Sequence, residues 1–409
     1  NKETNKEIEE KVDEAKKLSE SMRDDLKDLR RKLIDKDMTS WERKQNMKKI
    51  NEKQEKLENL MNEINRQNKE RNNMMDSYSS KKESIKEKQK QIEELMKNLM
   101  DEEMKDMMKE LNELMEKNKT EDMNQLMENL EMSYEDLDKQ LDNNLEILKK
   151  MDVEENIQKT IDDLDKLSKK HEELSKKTSK KSESKEKLKK EQEKHKKELE
   201  EIQKKHEETM KKNQELKDPV DMDDFKKDFE DIKNQMQESG ENLEKSKEKK
   251  ASEGQKKSSE EMKKLSEKMQ SMLNSSMMSQ NSENMEDVRQ LLENLIQFSH
   301  DQENLMDKFE TVNARDPRYK KIIKEQGNLR KSFEIIEDSL NTLGARVPQI
   351  GNLVRKDKLS IQKQLNNIMN IIEEGRLHNL KSKQQIVMTH ANNMALLLSE
   401  VLDQMKNQM

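Results

Sequence analysis

Apolar side chains in the first forty residues recur at alternating steps of three and four, the spacing that lines one side of an α-helix. The series comprises Ile8, Val12, Ala15, Met22, Leu26, Leu29 and Leu33, and Ser19 takes the polar seam position among them. A disordered chain has no reason to keep this register. Because residues 1–218 also contain neither Gly nor Pro, the pattern predicts long amphipathic helices throughout the first half of the chain.

Helix ends in this half are predicted from capping residues. Thr39 is followed three positions later by Glu42, the spacing of a capping box, so the first helix should end near Asp37 and the next should begin near Ser40. Possible further starts, each followed by acidic side chains that complement the helix dipole, are Thr120, Ser133 and Asp152. Turns are predicted at Ser79 with Ser80 and at residues 176–187. The result is a series of helical hairpins with arms of about 25–35 residues, each ~40–50 Å long.

Helix-breaking residues first occur after residue 218. Asp218 and Asp316 each precede a proline, so Pro219 and Pro317 are each predicted to open a helix. Residues 238–259 are polar and contain two glycines. That composition indicates a flexible or weakly helical link.

From Met285 onward the apolar stripe widens, which suits a helical bundle packed on several sides, and residues 341–352 interrupt it. The period-two pattern of strands does not occur in the sequence. The predicted fold class is therefore all-α, with elongated helical hairpins and coiled coils, a C-terminal helical bundle and essentially no sheet. Five regions are predicted: a helical hairpin at 1–79, a methionine-rich helical region at 80–151, a charged helical hairpin at 152–218, helices with a polar link at 219–284, and the bundle at 285–409.

Composition agrees with narrow helical cores. Of the 409 residues, 42% are charged, 29% are hydrophobic and 2% are aromatic, too little apolar side chain for several thick globular cores. The net charge is only −7, and the absence of cysteine excludes disulfides and thiolate chemistry. No apolar run approaches the ~20 residues of a membrane helix. The first residues, NKETNKEIEE, are not those of a signal peptide, so we expect the sequence to be a segment of a longer protein.

The richest methionine cluster lies at 96–115, MKNLMDEEMKDMMKELNELM. Its apolar side chains share one wide helical face, which predicts either a core filled by flexible side chains or an adaptable surface for more than one partner. Candidate partner-binding residues on this face are Met100, Met104, Met107, Met108 and Met115. Soft-metal binding by thioethers is disfavoured because no His or Cys lies near the cluster.

Histidines at predicted seam positions are His171, His195 and His206. With a turn near residue 181, His195 should face Leu167 and His206 should face Ile157, so the three rings should not converge. We interpret them as polar residues that fix register and predict neither a metal site nor a cofactor. The sequence also lacks a glycine-rich phosphate loop, a nucleophile elbow and zinc-ligand spacing, so it does not indicate an enzyme.

A basic segment at 318–383 carries 14 Lys and Arg against 7 Asp and Glu. Candidate partner-binding residues in this segment are Arg318, Tyr319, Arg346 and Arg355. The alternative interpretation is a basic helical face that offsets acidic helices of the same molecule. Nucleic-acid binding is not predicted, because no recognised binding module accompanies these residues.

Several blocks together resemble one known family. They are residues 91–150, EEMKKLSEKMQSM at 260–272, DQENLMDKF at 301–309, ARDPRYKKIIKEQ at 314–326, EDSLNTLGARVPQI at 337–350 and ANNMALLLSEVLDQMKNQM at 391–409. From about residue 85 the chain resembles large Bacteroidota envelope proteins known only as a domain of unknown function. The resemblance implies membrane helices N-terminal to this segment and a long helical region outside the cytoplasm. It implies no catalytic residues.

Two functions from different classes follow as hypotheses. The first is a non-enzymatic, elongated scaffold or adaptor of the cell envelope, a periplasmic segment of an inner-membrane-anchored protein that docks components of an envelope or secretion complex. A homo-oligomer is compatible with it. The second is a holdase-like periplasmic chaperone that grips exported or outer-membrane proteins with methionine-lined arms such as 96–115 and 262–278. Covered methionine faces favour the scaffold, and an open apolar groove favours the chaperone.

Overall fold

The computed structural model describes residues 2–35, 38–76, 90, 93, 102–117, 120–312, 316–375 and 377–407. Within these ranges the chain is helical, with no β-strand, which confirms the predicted all-α class. The helices are α1 (Lys2–Ile34), α2 (Ser40–Asp76), α3 (Glu102–Lys117), α4 (Thr120–Lys180), α5 (Lys185–Gln214), α6 (Lys226–Glu244), α7 (Glu248–Thr311), α8 (Tyr319–Arg346), α9 (Pro348–Glu373) and α10 (Leu380–Asn407), with a 3₁₀ turn at Leu377–Asn379 before α10. None of the helices in the described ranges is both long and apolar enough to cross a bilayer.

The capping box before α2 forms as predicted. The Glu42 amide donates to Thr39 Oγ1 at 3.3 Å, and Glu42 Oε2 accepts from the Thr39 amide at 2.8 Å. These bonds satisfy amides that the first turn of a helix leaves unpaired. The predicted helix start at Thr120, the turn within 176–187 and the interruption within 341–352 are also confirmed. The proposed turn at Ser79 and Ser80 lies outside the described residues.

Three predicted helix boundaries are wrong. Helix α4 continues through Ser133 and Asp152, because a capping residue within a helix with a continuous buried stripe gains more from packing than from a new start. Pro219 does not open a helix, since α6 begins only at Lys226. The Asp218 carboxylate accepts instead from Lys150 Nζ at 2.6 Å. At Pro317 the difference is small: the proline lies in the turn before α8, and the helix begins two residues later, at Tyr319.

The polar region 238–259 is not a flexible link. Helices α6 and α7 occupy it except for the turn at residues 245–247. Its small residues allow two helices to approach closely: a Cβ atom on Gly254 would lie 2.3 Å from Ser239 Oγ. The composition that resembled a linker is therefore that of a tightly packed helical seam.

Contacts divide the chain into two compact units: unit 1 comprises Asn1–Ile147 and Glu283–Met409, and unit 2 comprises Leu148–Ser282. In unit 2, neighbouring helices are antiparallel. Ion pairs join α4 to α5, with Lys170 to Glu198 at 3.0 Å, and α5 to α6, with Glu200 to Lys233 at 2.9 Å. The core beneath them includes Ile157, Leu164, Leu199, Phe229, Ile232, Met262 and Met269.

Two reciprocal pairs of serines set the register between α4 and α7 in unit 2. Ser168 Oγ donates to the Ser259 carbonyl and Ser259 Oγ donates to the Ser168 carbonyl, both at 2.9 Å. One heptad away, Ser175 and Ser252 make the same exchange at 2.8 and 3.0 Å. Small hydroxyl residues thus take the place of apolar knobs in this seam, and their hydroxyls stay paired.

In unit 1, α1 packs against both α2 and α4. Lys53 of α2 pairs with Asp25 of α1 at 2.5 Å, and Arg30 of α1 pairs with Glu131 of α4 at 2.9 Å. The C-terminal helices share one continuous core, which includes Leu295, Phe298, Phe333, Leu340, Ile361, Val387 and Leu398. These sequence-distant parts of unit 1 meet around Asp136.

Candidate functional site

The described methionines of the candidate surface are mostly covered. Met104 and Met108 are 1% and 4% exposed, and Met107 and Met115 are half-buried. Met100 lies outside the described residues. On α3, therefore, the predicted wide apolar face packs within unit 1, the first of the two interpretations of the pattern.

The four predicted partner-binding residues of the basic segment differ in exposure. The Arg318 side chain is 68% exposed and pairs with Asp316 at 2.7 Å, which holds the pKa of Asp316 at about 2. Tyr319 is buried, which raises the pKa of its hydroxyl, and that hydroxyl donates to the Ile372 carbonyl at 3.4 Å.

The other two predicted anchors make ion pairs within unit 1. Arg346 pairs with Glu283 at 3.2 Å and also with Asp287. Arg355 is 4% exposed, so its guanidinium is covered by unit 1 itself. Arg318 is therefore the predicted anchor with the most accessible charge.

Two candidate residues meet at a buried ionic cluster. Arg355 Nη2 contacts Met104 Sδ at 3.4 Å, and Arg355 Nε donates to Asp136 Oδ2 at 2.7 Å. Lys358 donates to the other oxygen of Asp136 and to Asn341 Oδ1 at 2.9 Å. This cluster joins α3, α4, α8 and α9 by charged hydrogen bonds, the strongest class available to side chains.

The electrostatics of the cluster favour an ionised aspartate. Burial alone raises the pKa of Asp136, but the Lys358 ammonium and the Arg355 guanidinium more than offset it and lower the pKa below its ordinary value. Asp136, Arg355 and Lys358 are each only 3–4% exposed. Removal of the carboxylate would lower the stability of the fold, since it would leave buried positive charge without a partner. The arrangement fixes helix positions and provides no accessible group for catalysis.

Histidines form the second buried cluster, in unit 2. His171 Nδ1 and His195 Nδ1 lie 3.1 Å apart, so the prediction that His195 faces Leu167 is wrong. The turn is centred near residue 183 instead of 181, which shifts the facing residue by about one helical turn. His206 lies elsewhere, against Phe225 and Phe229 at ring-centroid distances of 6.0 and 5.8 Å.

Two buried glutamines of unit 2, one on α5 and one on α7, are hydrogen-bonded to each other. Gln255 of α7 donates to Gln192 Oε1 at 3.0 Å, and Gln192 donates to the Met236 carbonyl at 2.7 Å. Burial lowers the pKa of His171 to about 3, helped by the neighbouring His195, and burial also lowers the pKa values of His195 and His206. A neutral imidazole has one N–H donor and one acceptor nitrogen, so one Nδ1 of the pair can donate to the other. Protonated rings would lose the acceptor and bury charge, so the two histidines can pack in this way only while they are uncharged.

No group of three or more His, Cys, Asp or Glu side chains in the described ranges is arranged to hold a metal ion. Comparisons with protein-family models, with curated proteins and with solved structures give no match.

One buried carboxylate escaped the sequence analysis. Asp138 of α4 is 7% exposed and lies 3.5 Å from Arg23 of α1. Burial raises its pKa to about 6, against the opposing effects of a hydrogen bond from the Ser19 side chain and of the Arg23 charge. With 90 acidic residues in the chain, no sequence signal distinguishes this one except its place beside the seam residue Leu137.

Asp138→Asn should stabilise unit 1 at pH 7 by about 1 kcal/mol, a value reduced for solvent screening and for the lost pairing with Arg23. The folded-state pKa lies above the ordinary value of 3.8, so ionisation destabilises the fold as pH rises through about 6. The gain should disappear at pH 4, where both folded chains carry a neutral side chain. Urea unfolding at the two pH values measures this difference, and an equal gain at both would contradict the account.

Proposed function

We propose that this chain is a non-enzymatic helical scaffold or adaptor of the bacterial cell envelope that holds protein partners at fixed positions. The observation that carries the proposal is the covering of the methionine faces within the bundles. Met104, Met108, Met262 and Met269 are between 0% and 4% exposed. A scaffold needs its apolar side chains to maintain a rigid shape, whereas a client-gripping protein needs them exposed.

The buried charged, histidine and serine side chains support the same function. The Asp136 cluster and the His171–His195 layer lie between helices, where they specify which helices pair and in which register. Paired serines act similarly between α4 and α7. A chain that uses its reactive side chains to fix helix positions is suited to presenting surfaces to other proteins.

The cellular setting of the proposal rests on the family resemblance. On that basis we place the chain in the periplasmic part of a protein anchored in the inner membrane by helices outside this segment, with envelope or secretion components as partners. Arg318, with its exposed guanidinium, is the predicted contact residue best placed to meet an acidic partner.

One observation favours the chaperone as a second candidate. Met278 of α7 is 64% exposed and the neighbouring Met277 is only partly buried against the core of unit 2. A small methionine surface of this kind can contact varied apolar sequences.

Isolation of the full-length protein from native envelopes after mild crosslinking tests the proposal. One or two partners at fixed stoichiometry are expected for a scaffold. A broad, substoichiometric set of exported proteins, lost after Met278→Glu, would instead support the chaperone. The matched variant Met108→Leu keeps the buried core apolar and should leave either pattern unchanged.

A further inference from the structure

The turn between α1 and α2 exposes two large apolar side chains. Trp41, the only tryptophan in the chain, is 69% exposed, and Ile34 at the end of α1 is 60% exposed. Both lie at the same end of the α1–α2 hairpin, one on each side of the turn. Aromatic residues make up only 2% of the sequence, and such a large side chain usually contributes most when it is buried.

Helix reversal does not require these apolar residues. The turn of unit 2 at residues 181–184 reads Lys-Ser-Glu-Ser, and the turn at residues 245–247 reads Lys-Ser-Lys. The α2 cap is made by Thr39 and Glu42, without a contribution from the indole. The fold of the hairpin therefore does not account for the exposed side chains of Trp41 and Ile34.

Charge at this end of the hairpin is positive. The described residues between 30 and 44 carry five basic and two acidic side chains, and one of the five, Arg30, is paired with Glu131 of α4. One of the acids, Glu42, accepts two hydrogen bonds from Thr39 and is thus directed into the cap. Lys32 and Lys44 are exposed, and Arg31, which pairs with Asp28 at 3.5 Å, is 71% exposed.

We propose that this end of the hairpin docks on a lipid bilayer that contains anionic headgroups. Trp41 and Ile34 would enter the boundary between headgroups and acyl chains, where the amphipathic indole is favoured. Lys32 and Lys44 would lie at the level of the lipid phosphates, with their alkyl stems along the apolar surface. A second copy of the chain fits less well, because a symmetric contact would place the same positive excess against itself.

The contact is a weak one made by two apolar side chains, and it gains strength from any second attachment of the same molecule to the bilayer. It does not depend on the scaffold proposal: a chain that binds no lipid can still hold protein partners.

The single tryptophan makes the test direct. Fluorescence of the 409-residue chain is recorded with vesicles of phosphatidylcholine alone and of phosphatidylcholine with phosphatidylglycerol. The expected result is an emission shift to shorter wavelength and loss of iodide quenching with the anionic vesicles only. In vesicle flotation, Trp41→Ala should weaken partitioning roughly tenfold, since it removes most of the apolar surface of the contact.

A matched variant moves the reporter to a polar turn. Trp41→Ala combined with Ser182→Trp places the only tryptophan in the 181–184 turn of unit 2, and its emission should not respond to vesicles. An equal response of this variant, or no shift of Trp41 with anionic vesicles, overturns the proposal. A Trp41 shift that depends on protein concentration without lipid also overturns it, in favour of self-association.

Discussion

Asp136→Asn should lower the free energy of unfolding of unit 1 by about 3–5 kcal/mol, the range found when one partner of a buried ion pair is removed. The substitution keeps the shape of the side chain but removes its charge. Arg355 and Lys358, each 4% exposed, would then face one another as cations without the carboxylate between them. Hydrogen–deuterium exchange of unit 1 peptides against urea concentration measures the loss without assuming that the two units unfold together.

The same helix supplies a control. Asp142 pairs with Lys16 at 2.8 Å, but their side chains are 40% and 29% exposed. Asp142→Asn should therefore cost no more than about 1 kcal/mol, as for other solvent-screened pairs. Replacing the whole cluster by Asp136→Leu, Arg355→Met and Lys358→Leu should restore most of the stability that Asp136→Asn loses. Equal effects of Asp136→Asn and Asp142→Asn would show that the cluster is not buried in solution.

Acidification from pH 8 to pH 5 should destabilise unit 2 by about 2 kcal/mol through His171 alone. The folded-state pKa of His171 is about 3, below its ordinary value of 6.5, so the unfolded chain takes up a proton in this range and the folded chain does not. His195 and His206 shift in the same direction and add to the loss. Burial dominates for His195, where Glu198 and Glu191 oppose it and Lys170 and Lys194 assist it.

Exchange of unit 2 peptides at several pH values measures this loss, and two variants separate its causes. His171→Leu with His195→Leu should remove at least half of the acid sensitivity, because no imidazole then titrates in that layer. His300→Gln serves as the control, since the His300 side chain is 66% exposed and lies in unit 1. Retained acid sensitivity in the double variant would assign the effect to other groups.

Periodicity and capping were sufficient to predict the helical class and several helix ends. The α1 seam from Ile8 to Leu33 is buried at every apolar position, and the Thr39 capping box forms as its spacing requires. These features are local: a helix face and a cap depend on residues three or four positions apart.

Features that depend on tertiary register were not predictable in the same way. A two-residue displacement of the turn near 183 brings His195 against His171 instead of Leu167. The small polar residues around Gly254 have the composition of a linker, and only the neighbouring helix shows that they are packed. Ser168, Ser175, Ser252 and Ser259 do carry a seven-residue spacing, a signal that would have identified this seam.

Candidate partner residues were the least predictable, because sequence patterns do not distinguish a buried charge from an exposed one. Arg318 and Arg355 belong to the same basic segment, yet the first is exposed and the second is enclosed with Asp136 and Met104. That difference arises from Asp136 of helix α4, which lies 219 residues before Arg355 in the chain.

Methionine oxidation most directly tests the central claim that the methionine faces are covered inside the bundles. The folded chain is treated briefly with hydrogen peroxide, and sulfoxide at each methionine is measured by mass spectrometry. Met104, Met262 and Met269, all at most 1% exposed, should oxidise roughly tenfold more slowly than Met278, which is 64% exposed. Equal rates at all four positions would mean that the methionine faces are open to solvent, contradicting the scaffold account and favouring a protein that grips clients.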